Sequence, residues 1–436
     1  MNKIEVKIKL KNNKLPEGWV KTILADPNLF KTIGSGIYPF NGTKLYLSTS
    51  SIEETKIISI EEIITYKKRP SRANMQPRKG LVAFAKMRNT LKIMLVNNEL
   101  EKNYILSTGF SLFEVKIYPK YFYQYVMSRF FNHQKDLLAE GTTQEAISND
   151  DFKRIYISFP SSLTEQRKIA EILETVDETI EKTGAIIKKY TRIKQSLMQE
   201  LLTRGIDENG KIRSEETHKF KDSPLGKIPE KWEIVKVKDI GKIEGGYAFK
   251  SDSFLLNGKY QVIKIGNLYK GILDLKKNLA YLNTLNEQEK KYTLKHLEIL
   301  ITLTGTIGKK DYGYTVILRH PKKVIFNQRV ARIRVINTQN NPIFIFYQTK
   351  MEFFLNQFFD NSKGGTGNQT NVSVYDLKKI KILCPPLPEQ QRIAGVLSQI
   401  DETIEKEQNY KEKLKRLKQG IMEDLLTGKV RVLNVN

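Results

Sequence analysis

The 436-residue chain holds a single cysteine, Cys384, with four histidines and two tryptophans. One cysteine cannot close an internal disulfide, and it excludes every zinc site built from several thiolates. His133, His218, His296 and His320 lie far apart, and no His-x-x-x-His pair is present to chelate a metal from one helix face. No apolar run approaches the ~18–20 residues that a membrane span needs. The first ten residues alternate charged and apolar side chains and lack the unbroken apolar core of a secretory signal. These absences predict a cytoplasmic protein with no metal site and no membrane contact.

Negative charge is also in short supply: 48 acidic residues against 73 basic ones leave a net charge of +25. Hydrophobic residues at 40% and aromatics at 10% supply real cores, so a disordered basic tail is excluded. A folded chain this basic points to a polyanionic partner, nucleic acid before an acidic membrane surface. At ~100–200 residues per domain, the length predicts two to four structural units.

The chain repeats itself. A constant offset of 224 places Glu165-Gln166 on Glu389-Gln390, Ile169-Ala170 on Ile393-Ala394, Asp177 through Lys182 on Asp401 through Lys406, and Leu201-Leu202-Thr203 on Leu425-Leu426-Thr427. The two tryptophans open matching segments, Leu15-Pro-Glu-Gly-Trp19 and Ile228-Pro-Glu-Lys-Trp232. Phe122-Tyr123-Gln124 is echoed by Phe346-Tyr347-Gln348, and Gly141-Thr142 by Gly365-Thr366. Between these landmarks the halves barely resemble each other, so the organisation reads variable, constant, variable, constant.

The constant segments read as long helices. Heptad spacing places Ile169, Leu173, Val176, Ile180, Ile187, Leu197 and Leu201 on one stripe, interrupted by Thr183 and Lys194. The second stripe is Ile393, Leu397, Ile400, Ile404, Leu414, Ile421 and Leu425, broken by Glu407 and Lys411. Pro160 and Pro385-Pro386-Leu-Pro388 mark the starts, Gly205 and Gly428 the stops. Roughly forty residues at 1.5 Å each make a rod about 60 Å long. A stripe so narrow needs a partner, and each copy is predicted to pack against the other as an antiparallel coiled coil; the alternative is two separate surface helices. The variable segments carry short β-branched runs between turn signals, as in residues 260–265 and 324–336, and read as mixed α/β. The predicted fold is therefore α+β with an internal pseudo-twofold repeat. Its parts are a globular domain over 1–160, a helix over 161–204, a polar linker over 205–227, a second globular domain over 228–385, and a second helix with its tail over 386–436.

No catalytic arrangement is signalled. Gly305-Thr-Ile-Gly-Lys-Lys310 lacks the spacing of a phosphate loop and reads as a turn offering lysines to a polyanion. Cys384-Pro-Pro-Leu387 lacks the amide or acid and the aromatic of an amino-methyltransferase motif, and the Glu-x-Lys triplets at 54–56 and 114–116 lack the preceding Pro-Asp of a nuclease. The chain is predicted to be non-catalytic.

Binding has better candidates. Residues 67–79 pack six cations with Ser71, Asn74 and Gln76 and no acid. Arg69, Arg72 and Arg78 are the residue type that forks onto guanine O6/N7, and Asn74 and Gln76 the type that matches adenine N6/N7. Lysines such as Lys79 and the backbone amides suit phosphate contacts, which hold register without reading sequence, and Ser71 is one of the mixed donor–acceptor side chains that accompany the charge. In the second domain the candidates are Lys250, Ser251, Lys264, Asn267, Lys309, Lys310, Gln328, Arg329, Lys363, Asn368 and Gln369. The loop from Lys363 to Thr370 reads equally as a phosphate-approaching backbone or a plain connector.

With these residues in place the chain resembles the specificity subunit of a type I restriction-modification system over nearly its full length. The resemblance is carried by Leu-x-Glu-Gln-x-x-Ile-Ala at 163–170 and 387–394, the Asp-Glu-Thr-Ile-Glu-Lys repeats and the two Pro-Glu-x-Trp openings. Pro70-Ser-Arg-Ala73, Gly246-Tyr-Ala-Phe-Lys-Ser251 and Phe326-Asn-Gln-Arg-Val-Ala331 are also similar to segments of that family. It implies two target-recognition domains reading a bipartite, asymmetric site in double-stranded DNA, with the helices setting the gap. It implies two modification subunits that carry S-adenosylmethionine, restriction subunits that use ATP and magnesium, and no cofactor in this chain. The rival reading from the residues alone is a stand-alone nucleic-acid-binding architectural protein with a coiled-coil ruler.

Overall fold

Leu163–Leu201 and Leu387–Leu426 form unbroken helices of 39 and 40 residues in the computed structural model, which describes residues 15–140, 145–319, 321, 323–364 and 368–432. Neither has an internal proline; Pro388 occupies the first turn of the second helix, where no backbone N–H is required. Ser162 Oγ accepts from the Glu165 amide at 3.4 Å and caps the first helix. Both helices run out into glycines in the left-handed region, Gly205 at φ +65° and Gly428 at φ +72°. These glycines are also tightly enclosed. A Cβ on Gly205 would stand 2.2 Å from Glu389 Oε1 and 2.4 Å from the Trp232 ring, and one on Gly428 2.6 Å from Pro16 and 3.0 Å from the Trp19 ring. The two tryptophans of the repeat thus wall off the two helix ends.

The chain divides into two compact units, residues 1–185 with 408–436, and residues 186–407. In the first, Trp19–Ile23 pairs antiparallel with Tyr156–Pro160, the strand that leads into the first long helix. Four antiparallel strands in the order Phe30–Ile33, Phe110–Val115, Val82–Ala85, Ile93–Leu95 pack on helices Pro119–Met127 and Arg129–Leu138. Phe84, Phe113, Phe122, Phe131 and Phe152 fill the space between, joined by Ile169 and Leu173 of the first long helix and Met422, Leu425 and Leu426 of the second. A second sheet runs Glu62–Ile64, Lys44–Leu47, Tyr104–Ser107, Ala73–Met75, with its central pair parallel.

The second unit uses the same plan on a different sequence. Glu233–Lys236 pairs with Lys381–Cys384 ahead of the second long helix. Its four-stranded antiparallel sheet runs Gly241–Gly245, Val330–Val335, Ile299–Thr302, Thr315–Ile317, the counterpart of the first unit's order. Tyr260–Ile263 lies parallel to Val324–Phe326, as Lys44–Leu47 does to Tyr104–Ser107. Trp232, Phe344, Tyr347, Phe354 and Phe358 are buried with Leu201, Ile393 and Leu397 of the long helices. Phe122 and Tyr347, echoed aromatics of the repeat, are fully buried core residues.

The two long helices pack antiparallel, as the stripes predict. Ile169, Leu173, Leu201, Ile393, Leu397, Leu414 and Leu425 are buried; Val176, Ile180, Ile187, Leu197, Ile400, Ile404 and Ile421 are half-buried. Full burial is reached mainly where globular elements close over the helix, because a lone helix pair leaves its seam partly open. The polar positions of the seam have defined partners. Lys194 Nζ donates to Asp401 Oδ1, and Lys418 Nζ, at 7% exposure, donates to Asp177 Oδ2 at 2.8 Å. These are one pair used twice, since the offset of 224 carries Lys194 onto Lys418 and Asp177 onto Asp401. Asp177 also accepts from Gln124 Nε2 at 2.9 Å, and Asp401 from the Tyr347 hydroxyl at 2.6 Å. Thr183 is buried with its hydroxyl donating to the Thr179 carbonyl, and Lys411 crosses above Gly184, where a Cβ would lie 3.2 Å from its ammonium.

Asp177→Asn strands the Lys418 ammonium and is expected to lower stability by about 2 kcal/mol. Adding Lys418→Met removes the stranded charge and should recover more than half of the loss. Denaturant unfolding of the two single variants and the double variant measures the coupling.

Candidate nucleic-acid interface

Residues 67–79 lie between Glu62–Ile64 and Val82–Ala85 and contain the edge strand Ala73–Met75. The loop is held from inside by one of its own cations. Arg69 donates from Nη1 to the Tyr66 carbonyl and from Nε to the Ala73 carbonyl at 3.2 Å, and its guanidinium sits 4.9 Å from the Tyr66 ring centroid. Two of its donor nitrogens are therefore committed to fixing the loop. Arg78 lies 3.6 Å from Glu114, an exposed pair that contributes little to stability. Ser71, Arg72 and Lys79 are exposed, while Asn74 and Gln76 are half-buried, Gln76 with a long 3.4 Å bond to the Pro77 carbonyl.

In the second unit five candidates gather on one small sheet. Thr304–Thr306 pairs with Gln369–Asn371, which pairs with Lys363–Gly364. The hairpin after Thr306 carries Lys309 and Lys310, and the Ile307 amide donates to the Asn368 carbonyl at 3.2 Å. Lys309, Lys310, Lys363, Asn368 and Gln369 are all exposed there. Asp311 pins the hairpin by accepting from the Thr306 amide and hydroxyl, both at 2.8 Å, and these bonds hold its carboxyl below the usual carboxylate range. Gly305 packs against Tyr312, whose ring a Cβ would meet at 2.3 Å, so the glycine serves this turn and no phosphate cradle forms. Gly141-Thr142 and Gly365-Thr366, the paired loop signals of the repeat, lie outside the described residues, as does His320.

Gln328 and Arg329 are exposed on the turn between Val324–Phe326 and Val330–Val335. Lys250 and Ser251 are exposed on a different segment, and Lys264 is half-buried with its ammonium 5.5 Å from the Phe254 ring. Asn267 stands apart from the other candidates. It is 1% exposed, donates from Nδ2 to the carbonyls of Asp274 at 2.9 Å and Lys277 at 2.7 Å, and accepts from the Lys264 amide at 2.9 Å. Its amide is fully engaged in shaping the turn. Exposed cationic donors are instead Arg72 and Lys79 in the first unit and Lys250, Lys309, Lys310, Arg329 and Lys363 in the second, groups suited to phosphate oxygens and base edges.

Each long helix also begins at a matched polar anchor. Gln166 Nε2 donates to the Pro160 carbonyl at 2.7 Å while its Oε1 accepts from the Tyr118 amide at 2.7 Å. Gln390 does the same with the Pro385 carbonyl at 2.8 Å and the Asn341 amide at 2.8 Å. Arg431 grips both carboxylate oxygens of Glu165 at 2.8 and 2.9 Å, and Arg213 those of Glu389 at 2.5 and 3.1 Å. The repeated Glu-Gln dipeptides therefore clamp helix to domain. Among the described residues no cluster of three or more His, Cys, Asp or Glu is placed to hold a metal, and no helix is long and apolar enough to cross a membrane.

Comparison with known proteins agrees with this duplicated plan. The model of the type I restriction modification DNA specificity domain matches twice, over residues 26–191 and 229–416, and the chain belongs to that family. It is 33% identical over 302 residues to the type I restriction enzyme MjaVIII specificity subunit of Methanocaldococcus jannaschii, covering 68% of this chain and 67% of that one. It is 28% identical over 452 residues to the putative type I restriction enzyme MjaX specificity subunit of the same organism, covering 96% and 95%. The crystal structure of a type I restriction-modification S subunit from M. genitalium shares the fold, with a TM-score of 0.58 at 16% identity over 96% of this chain and 98% of that one.

Arg69→Ala is expected to lower the melting temperature and open residues 66–73 to limited proteolysis, whereas Ser71→Ala and Lys79→Ala leave both unchanged. Thermal melts and timed digestion of the three variants provide the check.

Proposed function

We propose that this chain is the DNA sequence-specificity subunit of a type I restriction-modification complex. Each globular unit reads one half of a bipartite, asymmetric site in double-stranded DNA, and the long helices set the gap between the halves. The observation that carries this reading is the duplication itself. Two units share one order of strands and one set of helix anchors, yet differ in the side chains of their exposed loops. A common frame with unlike loops is what two different half-sites require.

The reading places DNA contacts on the exposed candidates, Ser71, Arg72 and Lys79 with the half-buried Asn74 beside them in the first unit, and Lys309, Lys310, Gln328, Arg329, Lys363, Asn368 and Gln369 in the second. Methyl transfer from S-adenosylmethionine, and ATP- and magnesium-dependent cleavage, belong to modification and restriction subunits, and this chain supplies no catalytic group. Two copies of the modification subunit dock on the helices with approximate twofold symmetry. In support, each helix has a second apolar row on its exposed face: Ile172, Ile186 and Ile193 on one, Val396, Tyr410 and Leu417 on the other, again offset by 224.

The test shortens both helices together. Deleting residues 182–188 and 406–412 removes seven residues from each, about 10 Å of helix. In cells carrying the chain with its modification subunits, mapping of methylated sites should show the same two half-sites with a gap about three base pairs shorter, at 3.4 Å per pair. An unaltered gap would overturn the ruler.

A further inference from the structure

We infer that Arg72 and Glu61, which line one cleft of the first unit without pairing with each other, together read a single G·C base pair. This rests on the DNA-recognition reading above and adds the residues and the base to it. The cleft has a volume of about 430 Å³, and Tyr46, Ser48, Ser50 and Ser107 complete most of its wall.

The carboxylate is oriented. Ser48 Oγ and Ser50 Oγ both donate to Glu61 Oε2, at 2.8 and 3.2 Å, and the Glu61 amide donates to the Tyr46 carbonyl at 3.1 Å. Oε1 has no partner among the described residues and remains an open acceptor. Arg72 is anchored through its backbone, its carbonyl accepting from the amides of Asn74 at 2.9 Å and Thr108 at 3.0 Å. Its guanidinium is exposed and bonds to no described residue. The remaining cation of the cleft, Lys92, is turned aside and donates to the Thr49 carbonyl at 2.5 Å. One free forked donor and one free acceptor are left facing the same space.

A surface built only for phosphates has no use for that acid, because a carboxylate repels them. An acid held by hydroxyls, with an unpaired arginine in the same cleft, suits a ligand edge that presents acceptors and a donor side by side. In the major groove G·C presents guanine N7 and O6, two adjacent acceptors that match the arginine fork, followed by the cytosine N4 donor that a carboxylate accepts. A·T offers no two adjacent acceptors on one base. The geometry therefore favours Arg72 on guanine and Glu61 on its cytosine.

Selection of a randomised duplex library by the complex of this chain with its modification subunits tests the assignment. Wild type should return a two-part motif. Arg72→Ala and Glu61→Gln should each erase preference at the same G·C position of one half, discrimination falling about 10- to 100-fold, with the other half unchanged. Both side chains are exposed, so neither change removes a core contact. An unaltered motif in both variants, uniformly weaker binding with the motif intact, or effects at different positions would each overturn the pairing. Failure of wild type to select any two-part motif would instead overturn the underlying function.

Discussion

Two helices whose apolar seams repeat every seven residues can slide past each other by whole heptads with little change in buried surface. The aspartate–lysine pair stops them. Lys194 reaches Asp401 and Lys418 reaches Asp177 in one register, and a slip of one heptad would carry each ammonium away from its carboxylate, to Ala394 and Ala170 in one direction or Gln408 and Gly184 in the other. An uncompensated, largely buried charge costs about 3–5 kcal/mol, more than a slipped seam could return. Because the pair is duplicated by the repeat, one mutationally simple device fixes the alignment in each unit. Lys194, which breaks the heptad stripe in sequence, and its equivalent Lys418 are thus what makes the stripes pair in one way.

The clamps at the helix starts depend on the same alignment. Glu165 and Glu389 sit at equivalent positions, each gripped by an arginine from beyond a helix-stopping glycine, Arg431 after Gly428 and Arg213 after Gly205. Each grip ties the exit of one long helix to the entry of the other. The two ends are not identical in detail. The Trp232 indole donates to Glu389 at 3.3 Å, whereas the Trp19 nitrogen is buried with no described partner. In the first unit the indole contributes by packing, with Trp19 against Gly428.

The frame was legible in the sequence because its signals are local: heptad spacing, prolines at the starts, glycines at the stops, and an offset of 224 that holds along both helices. The sheets were not, since strands such as Phe30–Ile33 and Gly241–Gly245 occupy one place in one strand order while having only a lysine and an isoleucine in common. A pleated face demands only apolar side chains at alternate positions, so many sequences build it. Among the site residues, residue type identified donors without saying where the donors point. Arg69 and Asn267 belong to the right chemical class, yet neighbouring carbonyls take their N–H groups, Ala73 in one case and Asp274 and Lys277 in the other. Asn267 carried a readable warning in its spacing, three residues after the amide of Lys264 that it accepts. Glu61 was invisible to a search for cations, because its meaning comes only from sharing a cleft with Arg72.

A division of labour follows within the chain itself. The charges that hold the helix pair, Asp177, Asp401, Glu165 and Glu389, each have a committed partner and lie in the repeated segments, while buried pairs such as Arg332 with Glu298 hold a sheet inside one unit. The charges offered to solvent, Arg72, Lys79, Lys309, Lys310 and Arg329, lie in the unlike segments and form no ion pair among the described residues. Substitution of an exposed loop residue without such a partner usually shifts stability by less than ~0.5 kcal/mol. Recognition can therefore be rewritten in one unit without loosening the helices or disturbing the other, which is the physical condition for a two-part reader to change half of its target at a time.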